Sequence, residues 1–283
     1  MTSILTLRRP ALLFTRAQVI EQEKGRESRD HPPPQLLRFE DLPAWYQDNP
    51  SVHTAYRPVS YSSIPCFHSL TYLHNETLNI YTHLIPAILS IFVQVYIQAL
   101  ITDHFPRAST RDRLVFGANI LAGMVTMTLS TCYHMLMNHS FHVSSLFLRI
   151  DYVGILTLIL GSFFSGIFVG FYCEPFLQRV YWTMIITLSL ITSVLVLHPQ
   201  FQGLRFRSHR TAAFVATALS GFAPISHGLW LYGWQEMWVR SGMPYVTNPS
   251  LCLSPSLLSK FAVFDFQPMR YFFGFCSLQK TRY

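Results

Sequence analysis

The stretch LNIYTHLIPAILSIFVQVYIQALI, Leu78–Ile101, contains no Asp, Glu, Lys or Arg. At about 1.5 Å per residue a helix of this length reaches about 36 Å, enough to cross a hydrocarbon layer of about 30 Å. Four more stretches pass the same test: Leu114–Met137, Tyr152–Cys173, Val180–His198 and Thr211–Trp234. Backbone at membrane depth must satisfy its own hydrogen bonds, and single apolar segments do that as helices. The reading is an all-α fold, a polytopic transmembrane helical bundle with five spans. Composition agrees, with 50% of the 283 residues hydrophobic and only 12% charged, about half the charge of a soluble domain.

Outside the spans the chain divides by composition. Residues 1–35 are basic and carry His31-Pro-Pro-Pro34, which reads as a disordered cytosolic tail. Residues 36–77 form a pre-membrane segment, and 78–245 the transmembrane domain. After Tyr245 the character changes. Residues 246–283 mix prolines, aromatics and charges and read as a divergent tail, truncated or misjoined. A sixth span over Leu251–Phe264 would be short and would carry Lys260.

The net charge of +7 suits anionic lipid facing cytoplasmic loops, and no basic run interleaved with aromatics argues for nucleic acid. Eight Lys or Arg precede Leu78, and Arg149, Arg205, Arg207 and Arg210 fall on the same side if the tail is cytosolic. The other side holds Arg107, Arg111, Arg113, Arg179 and Arg240. The imbalance predicts a cytosolic N-terminus. Cys66, Cys132, Cys173, Cys252 and Cys276 show no CxxC pairing, and reduced thiols are expected.

Ionisable groups at membrane depth mark function by default. Ser130 and His134 sit at i, i+4 near the end of the second span, and Asp151 begins the third. Consecutive antiparallel helices would bring the three to one depth at the cytosolic side. Two readings stand side by side. A neutral imidazole and a carboxylate can serve a metal and its water; alternatively, Asp151 caps the third helix and His134 bonds to backbone. Glu76, Asn79 and His83 form a second stripe at i, i+3, i+7, best read as a carboxylate held by polar partners to lock helices. His227 lies sixteen residues into its span, about 24 Å along it and toward the opposite face. His139 and His142 read as solvated, and His198 ends the fourth span.

These residues resemble the progestin and adipoQ receptor family, also called haemolysin III-related, and its fungal members most. The match rests on Asp41-Leu-Pro-Ala-Trp-Tyr-Gln-Asp-Asn49, His74-Asn-Glu-Thr-Leu-Asn-Ile-Tyr-Thr-His83, Ser130-x-x-x-His134 and Leu148-Arg-Ile-Asp151-Tyr-Val-Gly-Ile. The resemblance implies a seven-helix receptor-like protein with a cytosolic N-terminus and a Zn2+ site open to the cytosolic half. It implies His134 as a zinc ligand, Asp151 holding the zinc-bound water, Ser130 beside them, and a ceramidase-like lipid amide hydrolysis. A lipid or sphingolipid ligand and a link to zinc, sterol and lipid homeostasis follow from the same resemblance. One departure stands out: the family's Ser-His-x-x-x-His motif on the seventh helix has no counterpart, since no histidine follows His227. The competing expectation is a non-catalytic signalling or scaffold protein with an incomplete metal site. A pore is disfavoured, because no ring of like charges lines the spans.

Overall fold

The computed structural model describes residues 35–201 and 204–240. In chain order its long helices are α1 (Thr77–His104), α2 (Thr110–Leu136), α3 (Phe141–Gly170), α4 (Pro175–Leu197), α5 (Arg207–Leu219) and α6 (Phe222–Arg240). Only Ser220 and Gly221 separate α5 from α6, and together the pair makes one apolar span, so the described residues hold five. The chain is a polytopic helical membrane protein. The tail before residue 35, the residues after 240 and the doubtful sixth span lie outside the described residues.

Helices pack through small residues and hydroxyls, as expected where lipid gives no hydrophobic drive between them. A Cβ on Gly161 would collide with Ala122 Cβ, so glycine is what lets α3 approach α2. Nearby, the Thr126 hydroxyl donates to the Gly154 carbonyl of α3 at 2.8 Å. Thr192 of α4 and Thr217 of α5 meet hydroxyl to hydroxyl at 2.7 Å. The last span is kinked at Gly233, where φ is +75°. Beyond it the Met237 side chain folds back over Gly228.

α3 starts well before the apolar run that announced it. Ser140 caps the helix by accepting a hydrogen bond from the Val143 N–H, so α3 begins at Phe141 rather than near Tyr152. Its first three turns carry His142, Ser144, Ser145 and Arg149, which hide them from a hydropathy reading. Two corrections follow. Arg149 belongs to a helix rather than a loop, and Asp151 sits eleven residues into α3, where it cannot be the cap. The connection from α2 shrinks to residues 137–140.

At the same end of the bundle, residues 35–76 fold against the α2–α3 turn. Leu37 and Tyr56 exchange backbone hydrogen bonds in one isolated bridge. Leu42, Tyr46, Tyr56 and Met137 bury one another. The Asn138 side chain donates to the Pro58 carbonyl at 3.0 Å, and Asn138 and His139 carbonyls receive the Ser60 and Tyr61 N–H groups. The far end has its own lock: buried Asp112 accepts from Ser109 and from the Tyr172 hydroxyl. Among the described residues Cys66 and Cys132 are free thiols. α3 ends at Gly170, which leaves Cys173 in the connection to α4 rather than inside a span.

Candidate functional site

Glu76 stands at the N-terminus of α1, where a carboxylate suits the helix dipole. Its Oε1 accepts from Asn75 Nδ2 at 2.9 Å, and its Oε2 accepts from Asn79 Nδ2 at 2.8 Å. His134, near the C-terminus of α2, approaches the same Oε2 through Nδ1 at 2.8 Å. Burial pushes the Glu76 carboxyl up, but the bonds from His134 and Asn79 and the charges of His134 and Arg57 outweigh it and hold it low. The carboxylate is therefore the acceptor and His134 Nδ1–H the donor. Whenever the ring is neutral, this bond leaves the lone pair on Nε2, the arrangement second-shell carboxylates impose on metal-binding histidines.

Asp151 faces the Ser130 hydroxyl, and His134 and His83 are the imidazoles its carboxyl feels. The rings of His83 and His134 lie 5.8 Å apart. His83 Nδ1 is buried with no hydrogen-bond partner among the described residues. The structure thus gathers Ser130, His134, Asp151, Glu76, Asn79 and His83 at one end of α1, α2 and α3. The two stripes of the sequence form one cluster, joined by the Glu76–His134 pair. His227 is elsewhere: its Nδ1 is 2.7 Å from the Tyr181 hydroxyl, near the start of α4 and so at the opposite end. His139 bonds to Ser140, and His142 lines the cavity described below.

Two supporting residues stand outside the candidate site residues of the sequence. Arg57 is fully buried and reaches the C-terminus of α2. Its Nη1 donates to the Met135 carbonyl and to Ser69 Oγ, both at 2.9 Å, and its Nη2 donates to the His134 carbonyl at 2.6 Å. The cation answers the carbonyls a helix end leaves unpaired, and its charge suits the negative pole there. His74 is the second. Burial first, then the Arg57 charge, lowers its imidazole from 6.5 to about 4. Its Nδ1 accepts the Glu76 backbone N–H at 3.1 Å, which requires a neutral ring.

The His74 shift has a consequence for stability. The unfolded chain takes up a proton near pH 6.5 and the folded one only near 4, so stability is full above 6.5 and falls as pH drops through that window. At about 1.4 kcal/mol per pKa unit the loss is limited to about 3 kcal/mol. Thermal unfolding of His74→Gln should depend less steeply on pH between 6.5 and 4 than that of the parent. An identical slope would remove His74 from the account.

A cavity of about 1050 Å³ opens beside the cluster. Its lining includes Glu76, Asn79, His134 and Asp151, the arginines Arg149, Arg207 and Arg210, and aromatic rings such as Trp45 and Tyr152. The Tyr46 phenol, buried nearby, is raised by desolvation, with Arg57 pulling the other way.

A zinc ion implied by the sequence resemblance can be tested against these side chains. His134 has the tautomer of a ligand, and Asp151 and Ser130 stand close to it. Among the described residues, however, no three His, Cys, Asp or Glu side chains converge as metal ligands. His227, the last histidine of the sequence, is at the other end of the bundle. A resident zinc takes three or four protein ligands. The described donor set does not fit one.

Comparison with known proteins fits this architecture. A family model described as Haemolysin-III related matches residues 71–259. The adiponectin receptor protein of Drosophila melanogaster is 32% identical over 211 residues, covering 75% of this chain and 47% of that protein. The progestin and adipoQ receptor-like protein 1 of Caenorhabditis elegans is 35% identical over 192 residues, 68% of this chain and 44% of its own length. A fungal relative, the ADIPOR-like receptor IZH1 of Eremothecium gossypii, is 32% identical over 213 residues, 75% of this chain and 67% of its own. The chain therefore spans about half the length of the two animal relatives. With its motifs gathered at one end of a helical membrane bundle, the chain belongs to the haemolysin-III related family, which includes the progestin and adipoQ receptors.

Proposed function

We propose that this chain is a receptor-like membrane protein that binds a lipid in the cavity at the α1–α3 end and does not hydrolyse it. One observation carries the reading. The cavity combines aromatic and aliphatic walls with a polar floor, and the floor's carboxylate, Glu76, is engaged as a cross-helix acceptor. A floor locked in this way orients side chains without a complete set of metal ligands. Positive-inside counting supports a cavity on the cytosolic side, and a ligand would then enter from that leaflet.

The second reading is the family-type zinc amidase, favoured by the meeting of Ser130, His134 and Asp151. It needs at least two further ligands beyond the described residues. The two readings separate in one assay. Purified full-length protein is incubated with a short-chain fluorescent ceramide, and free fatty acid is measured beside the Asp151→Asn variant. The receptor reading expects equal background release from both. Release by the parent that Asp151→Asn abolishes would establish the hydrolase instead.

A further inference from the structure

The cavity is lined by charges of both signs. Glu76 and Asp151 are attended by Asn75, Asn79, His134 and Ser130. Three arginines from two helices also line it: Arg149 on α3, and Arg207 and Arg210 on the first turn of α5. Arg149 precedes Gly170 by 21 residues, about 32 Å of helix, so it stands at the edge of a hydrocarbon layer about 30 Å thick. Arg210 lies 5.5 Å from the Tyr152 ring, one turn from Arg149, and donates to the Phe201 carbonyl at 2.7 Å. These arginines are thus at lipid headgroup level. The lining also includes the apolar side chains of Leu148, Ile155, Phe214 and Val215.

The acid paired with Arg207 offers little competition. Asp48 meets Arg207 at 3.4 Å, and both side chains are half exposed or more, at 50% and 59%. Exposed pairs of this kind are worth about 1 kcal/mol or less. No side chain caps the start of α5, where Phe206 precedes the first turn, so the helix terminus adds to the positive potential. Guanidinium forks match the oxygens of a phosphate two at a time.

We infer that the cavity binds the phosphate of an anionic phospholipid, with Arg149 and Arg207 on the phosphate and the acyl chains against Leu148, Ile155, Phe214 and Val215. The inference rests on the lipid-binding reading above and adds the headgroup class to it. Incoming phosphate replaces Asp48 as the partner of Arg207, and Arg210 supports the field from its place over Tyr152.

The test uses full-length protein in a neutral detergent and follows thermal unfolding with three probes: dioctanoyl phosphatidic acid, dioctanoylglycerol and inorganic phosphate. Phosphatidic acid should raise the melting temperature saturably, at a concentration at least tenfold lower than dioctanoylglycerol, which has the same chains and no phosphate. The double variant Arg149→Gln, Arg207→Gln should lose that tenfold preference, while Arg149→Lys, Arg207→Lys keeps part of it. Equal effects of the two lipids on the parent protein would overturn the phosphate site and leave lipid binding standing. A shift of the same size with inorganic phosphate alone would assign the site to a soluble anion and overturn the phospholipid. No shift with any probe would overturn both this inference and the lipid-binding reading.

Discussion

Arg57→Ala is expected to destabilise the folded protein by about 3–5 kcal/mol, most of the margin of an ordinary domain. The side chain is fully buried and donates to two carbonyls at the end of α2 and to Ser69. Hydrogen bonds from a charged donor contribute about 1.5–3 kcal/mol each, and their loss would leave carbonyls without partners in a place water does not reach. Arg57→Lys keeps the charge but not the fork, so it should lose an intermediate amount. The measurement is the thermal midpoint in detergent for parent, lysine and alanine forms. An alanine variant within 1 kcal/mol of the parent would mean that the α2 terminus does not depend on Arg57.

Glu76→Ala should cost a similar amount for a different reason. Three side chains, Asn75, Asn79 and His134, converge on this carboxylate from the α1 terminus and from α2. Removing it strands their donors and leaves the buried Arg57 without a nearby counter-charge, a loss of about 3–5 kcal/mol. Glu76→Gln retains one good acceptor oxygen and should fall between. The two variants also differ at the cavity, because without the carboxylate nothing fixes the His134 tautomer. Lipid-induced stabilisation should therefore shrink more in Glu76→Gln than the fall in basal stability alone explains. Unfolding midpoints with and without lipid decide it, and equal lipid shifts in parent and glutamine forms would contradict the role.

The five spans were legible because the bilayer's demand is strict: twenty or so residues without charge admit few other structures. Their edges were not. The start of α3 extends past the apolar run into water-facing turns, and the Ser140 cap that fixes it follows the turn rather than the hydropathy. Asp151 was placed at the right end of the bundle but as a helix start, when it is eleven residues into α3. The partner of Glu76 across helices, His134, lies 58 positions away. No local pattern announces such a pair. Arg57 and the cavity arginines were visible only as charges in an orientation count, since their work depends on which helix ends meet.

The described residues gather Glu76, His83, His134 and Asp151 at one end of the bundle without three of them converging as metal ligands. The most direct measurement is zinc per polypeptide, by inductively coupled plasma mass spectrometry, on full-length protein purified in detergent without chelator, beside His134→Ala. The account predicts well under one zinc per chain, with no difference between the two. One zinc per parent chain, lost in His134→Ala, would contradict it.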